Sequence, residues 1–360
     1  MNITVLGGGH GCYAAAASLT EQGHEVTLWR RDKDALKELA DKKCITVLDN
    51  LGERDIQIAN LTEDIEEAIR ASKVVNIPLP ATAHDSLSKL TATLWQDGQV
   101  VYLPPGTFGS YIFLKAARDA GNMADVTFAE TGTLPYLARK RDTTVIAISG
   151  YATRLPTGVF PAKNAEYAFP LLETAYPAIE RIEDALGGAL MNAGAIIHTP
   201  LIMMNAGPLE HFEKWDIHNE GTQVSIRRTT DVLDNERIAI RKAFGYAAPH
   251  FPLADHYDDL REEWMYGNAA HEKLHESGDW REDINLTSHR YMLEDVELGL
   301  AFLASCADYM NLDCPIANGL LAMGSAINGR NFKETGRTLH NLGLDKLELS
   351  DLKALLHEGI

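Results

Sequence analysis

A parallel α/β domain followed by an all-α domain is what this sequence predicts, on three observations. Residues 1–32, MNITVLGGGHGCYAAAASLTEQGHEVTLWRRD, place a short apolar run, a glycine turn, an alanine-rich helical stretch and a second apolar run in that order. Short apolar runs then alternate with helical patterns as far as about Arg181. From Ile182 onward the texture changes to long helical periodicities with few strand signals, which sets the expected domains at 1–181 and 182–360.

At 360 residues the chain is long enough for two domains, and 45% hydrophobic with 23% charged residues is a globular composition. The formal charge of −18 argues against nucleic acid or an anionic membrane as a partner. Cys12, Cys44, Cys306 and Cys314 have neither disulfide nor zinc spacing, so buried thiols in a reducing, cytoplasmic setting are expected. Because the first strand starts by Ile3, no secretory signal is expected before it. No run is expected to span a membrane; even Ala193 to Met204 is interrupted by His198 and Pro200.

Ile3 to Leu6 reads as the first strand, and Gly7, Gly8, Gly9, His10 and Gly11 follow it directly. With a helix and the strand Val26 to Trp29 next, this is the order of a dinucleotide-binding βαβ unit. Gly7 makes the tight turn, Gly9 lets the backbone approach a pyrophosphate, and Gly11 opens a helix whose N–H groups face the anion. The third position of the fingerprint is Cys12, small enough for helix–strand packing but a departure from Gly or Ala. After the second strand, where an acidic residue would read the ribose of NAD, stand Arg30 and Arg31. They favour NADP(H) over NAD(H); the plainer alternative is a solvated charge run at a helix start.

Cys44 to Ala59 reads as a hairpin around Asp49 to Glu53, inserted into the parallel scheme. Buried strands follow at Lys73 to Leu79, Val100 to Leu103, Val126 to Ala129 and Thr143 to Ser149, with helices from His84 and Gly109. Pro80 and Gly106 lie in loops leaving the carboxyl ends of parallel strands, where open α/β sheets bind ligands, and are expected at the cofactor.

The helical domain opens with a nearly all-apolar helix, Glu183 to about Asn205, whose polar residues Asn192, His198 and Asn205 need partners. His198 and Asn205 share a face, and Pro200 should kink the helix. By itself His198 is either a satisfied core residue or a catalyst. A helix from Val224 to Tyr246 carries Asp234-Asn235-Glu236-Arg237, and Pro249 to Asp283 is irregular. His250, His256, His271 and His275 match no metal spacing, so no metal is expected. From Asn285 runs a periodic helix on which spacing pairs Arg290 with Glu294; a last helical stretch spans Ile316 to about Ile327.

Several of these segments together resemble the opine dehydrogenase family, which includes octopine and nopaline dehydrogenases and a bacterial N-(1-carboxyethyl)-L-norvaline dehydrogenase. The resemblance is carried by VLGGGHGCYAAAASL, PPGTFGSYIFLKAARDAG, NAGAIIHTPLIMMNAG, DNERIAIRKAFG, INLTSHRYMLEDVELGL and NFKETGRTLHNLGL. It implies a Rossmann-like domain followed by an all-helical one, with the active site in the cleft between them. The implied reaction joins the amino group of an amino acid to a 2-oxo acid such as pyruvate and reduces the imine with NAD(P)H. On this resemblance His198 is the catalytic histidine, Asp295 its acidic partner and Arg290 the carboxylate-binding residue, with Asn192 and Asn205 beside the substrate. Histidine titrates near neutrality, and arginine presents a fork of donors to a carboxylate. Dimerisation through the helical domain is compatible with its apolar content.

Two other readings share the plan. Glycerol-3-phosphate, ketopantoate and β-hydroxyacid dehydrogenases place a catalytic lysine on the first long helix of the second domain, yet no lysine occurs here between Lys163 and Lys214. A non-catalytic NADPH-binding sensor would keep the glycine loop and tolerate losses at His198, Arg290 and Asp295.

Overall fold

The computed structural model describes residues 1–257, 265–267, 278 and 280–360. They form two compact units, Met1–Gly188 with Leu355–Ile360, and Ala189–Ala354. The division after Gly188 lies a little beyond the change of texture at Arg181.

In the first unit, strands and helices alternate: β1 Asn2–Leu6, α1 His10–Glu21, β2 Glu25–Trp29, α2 Lys33–Lys42, β3 Cys44–Asp49, β4 Gly52–Gln57, β5 Asn60–Thr62 and α3 Ile65–Arg70. Next come β6 Val74–Asn76, α4 His84–Thr91, β7 Val100–Leu103, α5 Gly109–Asp119, β8 Thr127–Thr131, β9 Tyr136–Asp142, β10 Val145–Tyr151, β11 Leu155–Phe160, α6 Ala165–Ala175 and β12 Ile179–Arg181. The main sheet runs β12-β11-β8-β7-β6-β1-β2-β5 and is parallel except where β11 pairs with β8. Its central strands are buried on both faces, which is why they read as unbroken apolar runs. Because β1 lies between β2 and β6, the strand order reverses there, and that reversal opens a crevice at the carboxyl ends of β1 and β6.

The hairpin β3–β4 pairs through β3 with β10 rather than entering the main sheet, giving a second sheet of order β4-β3-β10-β9. The strand expected at Thr143 to Ser149 is β10 and belongs to this sheet. Four strands of this unit were not anticipated. The second half of β9 is Arg-Lys-Arg-Asp, β11 carries proline and glycine, and β5 and β12 have three residues each, so none presents an apolar run.

The expected helix from Glu183 to Asn205 is two helices, α7 Ala185–Ala189 and α8 Ala193–Met204. Asn192 separates them: its extended backbone (φ −61°, ψ 101°) and its side chain, which accepts from Gly194 N and Ala195 N, restart the helix as an N-cap. Taken together, Ala185–Met204 has the length and hydropathy of a membrane span, contrary to expectation, although most of that window is buried in the fold. The rest of the second unit contains α9 Ala206–His211, a ribbon of β13 Trp215–Asp216 and β14 Arg281–Glu282, and α10 Val224–Ala243. The chain finishes with α11 Tyr291–Leu300, α12 Ala301–Tyr309, α13 Pro315–Asn328, α14 Phe332–Thr335 and α15 Leu349–Glu358. The periodic stretch from Asn285 enters its helix late because Asn285 Oδ1 accepts the amides of Thr287 and Ser288, holding a turn. Its first part, α11, has π-helical hydrogen bonding.

Candidate active site

The glycine loop of the first unit has the shape a dinucleotide requires. Gly7 has φ +121°, and a Cβ there would lie 2.6 Å from Leu79 Cδ2 and 2.8 Å from Cys12 Sγ. Gly9 caps α1 without any side-chain hydrogen bond, the first turn holds no acidic residue, and nothing lies within 4 Å of its Cβ position. The leading N–H groups of α1 are thus left for an anion approaching the backbone, which fits a pyrophosphate. Gly11 is pressed against Leu134 Cδ2 and the Pro78 carbonyl. Cys12 is fully buried, its Sγ donating to Leu6 O (3.6 Å) and Pro78 O (3.7 Å), and burial pushes the thiol up to about 12. Its place is packing between α1 and the sheet, not nucleophilic chemistry.

Arg30 leaves the end of β2 and lies over Gly8, where a Cβ would sit 2.7 Å from its Nε. Its Nη1 donates to Tyr13 Oη, and Nη2 is 3.6 Å from Asp32. Arg31 is exposed. Pro80 follows β6 on the crevice side and accepts the Ala83 amide. Gly106 is required by close packing, for a Cβ there would collide with the buried Glu130. The Glu130 carboxylate accepts from Phe108 N (2.6 Å), Ser110 N (3.3 Å) and Ser110 Oγ, so α5 begins on an internal anion.

In the helical unit, His198 of α8 and Asp295 of α11 meet, with Nδ1 2.8 Å from Oδ2. Two glycines let the helices approach: a Cβ on Gly194 would collide with the Asp295 carboxylate, and one on Gly299 would lie 2.8 Å from Asn192 Nδ2. The His198 ring sits 4.2 Å from that of Tyr291 and 5.6 Å from that of His218, which in turn stands against Trp280. Arg290 lies with Cζ 5.0 Å from the centroid of the Tyr291 ring, and its Nη1 is 3.9 Å from Glu294 Oε2. Burial opposes its charge, but Tyr291, Glu294 and Asp295 outweigh burial and hold the guanidinium above its ordinary pKa. Tyr291 and His218 were missed in the sequence, where Tyr291 reads as one more core aromatic beside Arg290.

A carboxylate only accepts, so the 2.8 Å contact places the imidazole proton on Nδ1 and leaves Nε2 to exchange protons. Among the described residues Nε2 has no hydrogen-bond partner, and the side chain is 20% exposed. A histidine so oriented can protonate or deprotonate a ligand while Asp295 steadies its charged form.

Two expected substrate contacts are occupied by the fold. Asn205 donates to Leu201 O (2.8 Å) and Gly221 O (2.9 Å) and accepts from Trp215 Nε1 (3.0 Å), fastening the β13 segment to α8. Both the oxygen and the nitrogen of its amide are thereby engaged within the fold. Asn192 Oδ1 is engaged in capping α8. Of the histidines considered for metal, His271 and His275 lie outside the described residues; among the described residues no three ligand-type side chains converge.

Residues 181–328 match the family described as NAD/NADP octopine/nopaline dehydrogenase, alpha-helical domain, and residues 2–107 match NAD-dependent glycerol-3-phosphate dehydrogenase N-terminus. An opine dehydrogenase of Arthrobacter sp. (strain 1C) is 29% identical over 362 residues, covering 97% of both chains. A glycerol-3-phosphate dehydrogenase [NAD(P)+] of Thermoanaerobacter sp. (strain X514) is 36% identical over only 94 residues, 25% of this chain and 26% of that one. An octopine dehydrogenase solved with NADH and agmatine has the same fold, with a TM-score of 0.73 at 18% identity over 100% of this chain and 98% of that one. A yersinopine dehydrogenase solved with NADP+ gives 0.63 at 13% identity, over 99% and 98% of the respective chains. The glycerol-3-phosphate dehydrogenase N-terminal model matches only residues 2–107, whereas the octopine/nopaline match includes both His198 and Asp295. Over nearly its whole length the chain is similar to an opine dehydrogenase, and its helical unit matches the octopine/nopaline dehydrogenase helical domain.

Proposed function

We propose that this protein is an NADP(H)-dependent opine dehydrogenase of the cytoplasm, joining an L-amino acid to a 2-oxo acid, pyruvate being the first candidate. The observation that carries the proposal is the His198–Asp295 pair with its open Nε2, set in the helical unit that matches the family. The amine adds to the keto carbon, water leaves, and the resulting C=N bond takes up a hydride and a proton to give a secondary amine. His198 Nε2 gives a proton to the departing carbonyl oxygen and takes one from the adding amine. Arg290, with its forked donors, holds a substrate carboxylate. The nicotinamide dinucleotide, when bound, supplies the hydride, and the loop from Gly7 to Gly11 holds its pyrophosphate.

The choice of NADP(H) rests on Arg30 and Arg31, which stand where an acidic residue would read the ribose of NAD. The relatives span both cofactors, since one was solved with NADH and another with NADP+. Four unpaired, buried cysteines support a reducing compartment. A screen of NADPH oxidation over amino acids, each with pyruvate and other 2-oxo acids, tests the reading by mass detection. The expected product carries the mass of amine plus oxo acid, less one oxygen. Reduction of an oxo acid to a hydroxy acid without any amine would overturn it in favour of a hydroxyacid dehydrogenase. Binding without turnover for every pair would favour a sensor.

A further inference from the structure

We infer that Lys140, a residue of the small second sheet, completes with Arg30 a subsite for the 2′-phosphate of NADP(H); the inference rests on the NADP(H) reading above. Strand β9 is fastened to the glycine loop, for the backbone N–H of Lys140 donates to Nδ1 of His10, the first residue of α1 (2.7 Å). From there the side chain reaches over α1, with Nζ 4.0 Å from the centroid of the Tyr13 ring. Arg30 approaches the same ring, its Cζ 5.6 Å from the centroid and its Nη1 bonded to Tyr13 Oη. Tyr13 is wholly buried, so two cations share one aromatic platform at the end of β2.

Their negative neighbours do not balance them. Asp32 is 3.6 Å from Arg30 but mainly exposed, and it also accepts the Ala35 amide as the cap of α2. Among the described residues no carboxylate lies within ion-pair distance of Lys140 Nζ; Glu38 and Asp142 act on it only at longer range. Burial, and then the charge of Arg30, push the ammonium below its usual pKa, as for two like charges brought together without a counter-ion. A phosphate dianion would convert that repulsion into two charge-assisted contacts. Carboxyl ends of second strands are where the adenosine ribose is read, so the group of that charge expected here is the 2′-phosphate. The sequence concealed this because Lys140 is far from the βαβ unit and sits in a run of basic residues that reads as a solvated edge.

The test is calorimetric titration of the full chain and its Lys140→Met and Lys140→Arg variants with NADPH, NADH, 2′,5′-ADP and 5′-AMP. The substitutions leave the backbone bond to His10 in place, so the glycine loop keeps its anchor. Lys140→Met should weaken NADPH and 2′,5′-ADP by about tenfold or more while NADH and 5′-AMP change by no more than about twofold. Lys140→Arg should recover most of the loss. Equal weakening of NADPH and NADH would overturn the assignment, since the lysine would then serve the pyrophosphate or the fold; so would no change in either. If the wild type binds NADH more tightly than NADPH, the NADP(H) reading itself falls, and this subsite with it. If the wild type prefers NADPH and Lys140→Met keeps that preference, the reading stands and only the role of Lys140 is lost.

Discussion

Two acid–base pairs of the helical unit, Asp234–Arg237 on α10 and His198–Asp295 between α8 and α11, differ in what they leave unused. Arg237 Nε lies 2.6 Å from Asp234, and its other nitrogens donate to Leu190 O, Met191 Sδ, His250 O and Phe251 O. Asp234 also accepts the Ala254 amide (3.1 Å), and the two side chains are 1% and 3% exposed. Nearby, Glu236 accepts Ile316 N and Ala317 N and so caps α13. Asp234, Glu236 and Arg237 therefore act as a clamp, while Asn235 between them is exposed. His198 and Asp295 are 20% and 9% exposed, and Nε2 keeps a free valence. A charged pair with every donor and acceptor engaged holds structure, whereas one with a valence open toward solvent can do chemistry.

The largest effect that could break this comparison is expected at the closed pair. Arg237→Leu strands the Asp234 charge in the interior and should cost about 3–5 kcal/mol of stability, measured by denaturant unfolding. A variant of normal stability with depressed turnover would instead move Arg237 into the chemistry. At the open pair the expectation inverts. His198→Ala should lower turnover by about two orders of magnitude or more while cofactor affinity stays nearly unchanged, and near-normal turnover would remove His198 from catalysis.

A third pair, Asp49 with Arg54, sharpens the contrast in the first unit. Both Asp49 oxygens meet Arg54 (2.7 and 2.9 Å), Oδ2 also accepts from Tyr151 Oη, and Oδ1 from Leu51 N. The Arg54 hydrogen bonds foremost pull the carboxyl down to about 2, against the opposing effect of burial. Because the folded pKa lies below the unfolded one, the pair stabilises the fold above about pH 4 and that stability is lost as pH falls toward 2, roughly 2 kcal/mol in all. Stability measured at several pH values should show wild type exceeding Asp49→Asn at neutral pH, with the gap closing over that window. A gap independent of pH would show that the bonds, not the charge, matter. The smallest effect is expected at Asn205: its replacement by alanine should cost about 1 kcal/mol through unpaired partners. The KM for the oxo acid should not rise with it, and a selective rise would return Asn205 to the substrate.

Much of the cofactor side was legible because its signals are local. A positive φ at Gly7 and an uncapped helix start at Gly9 leave marks within a few residues. The His198–Asp295 pair was only half legible. Spacing led from Arg290 to Glu294, and that pair exists at 3.9 Å, but nothing in the periodicity selected Asp295. The i→i+5 hydrogen bonding of α11 displaces side chains from their α-helical azimuths, and the resemblance alone pointed to Asp295, the carboxylate that meets His198. The need for Gly194 is set by a residue about a hundred positions away, since a Cβ there would collide with the Asp295 carboxylate.

By itself, then, the sequence determined the order of elements, the glycine turn and the change from sheet to helix, since these follow from periods and dihedral preferences of neighbouring residues. Tertiary structure alone decided which polar groups close on each other and which stay open. It left His198 one free nitrogen, used up Asn205, and put Lys140 on the Tyr13 ring beside Arg30. Those outcomes depend on approaches between segments remote in the chain, where the absence of one Cβ or the turn of one helix sets the partner, and no local pattern records them.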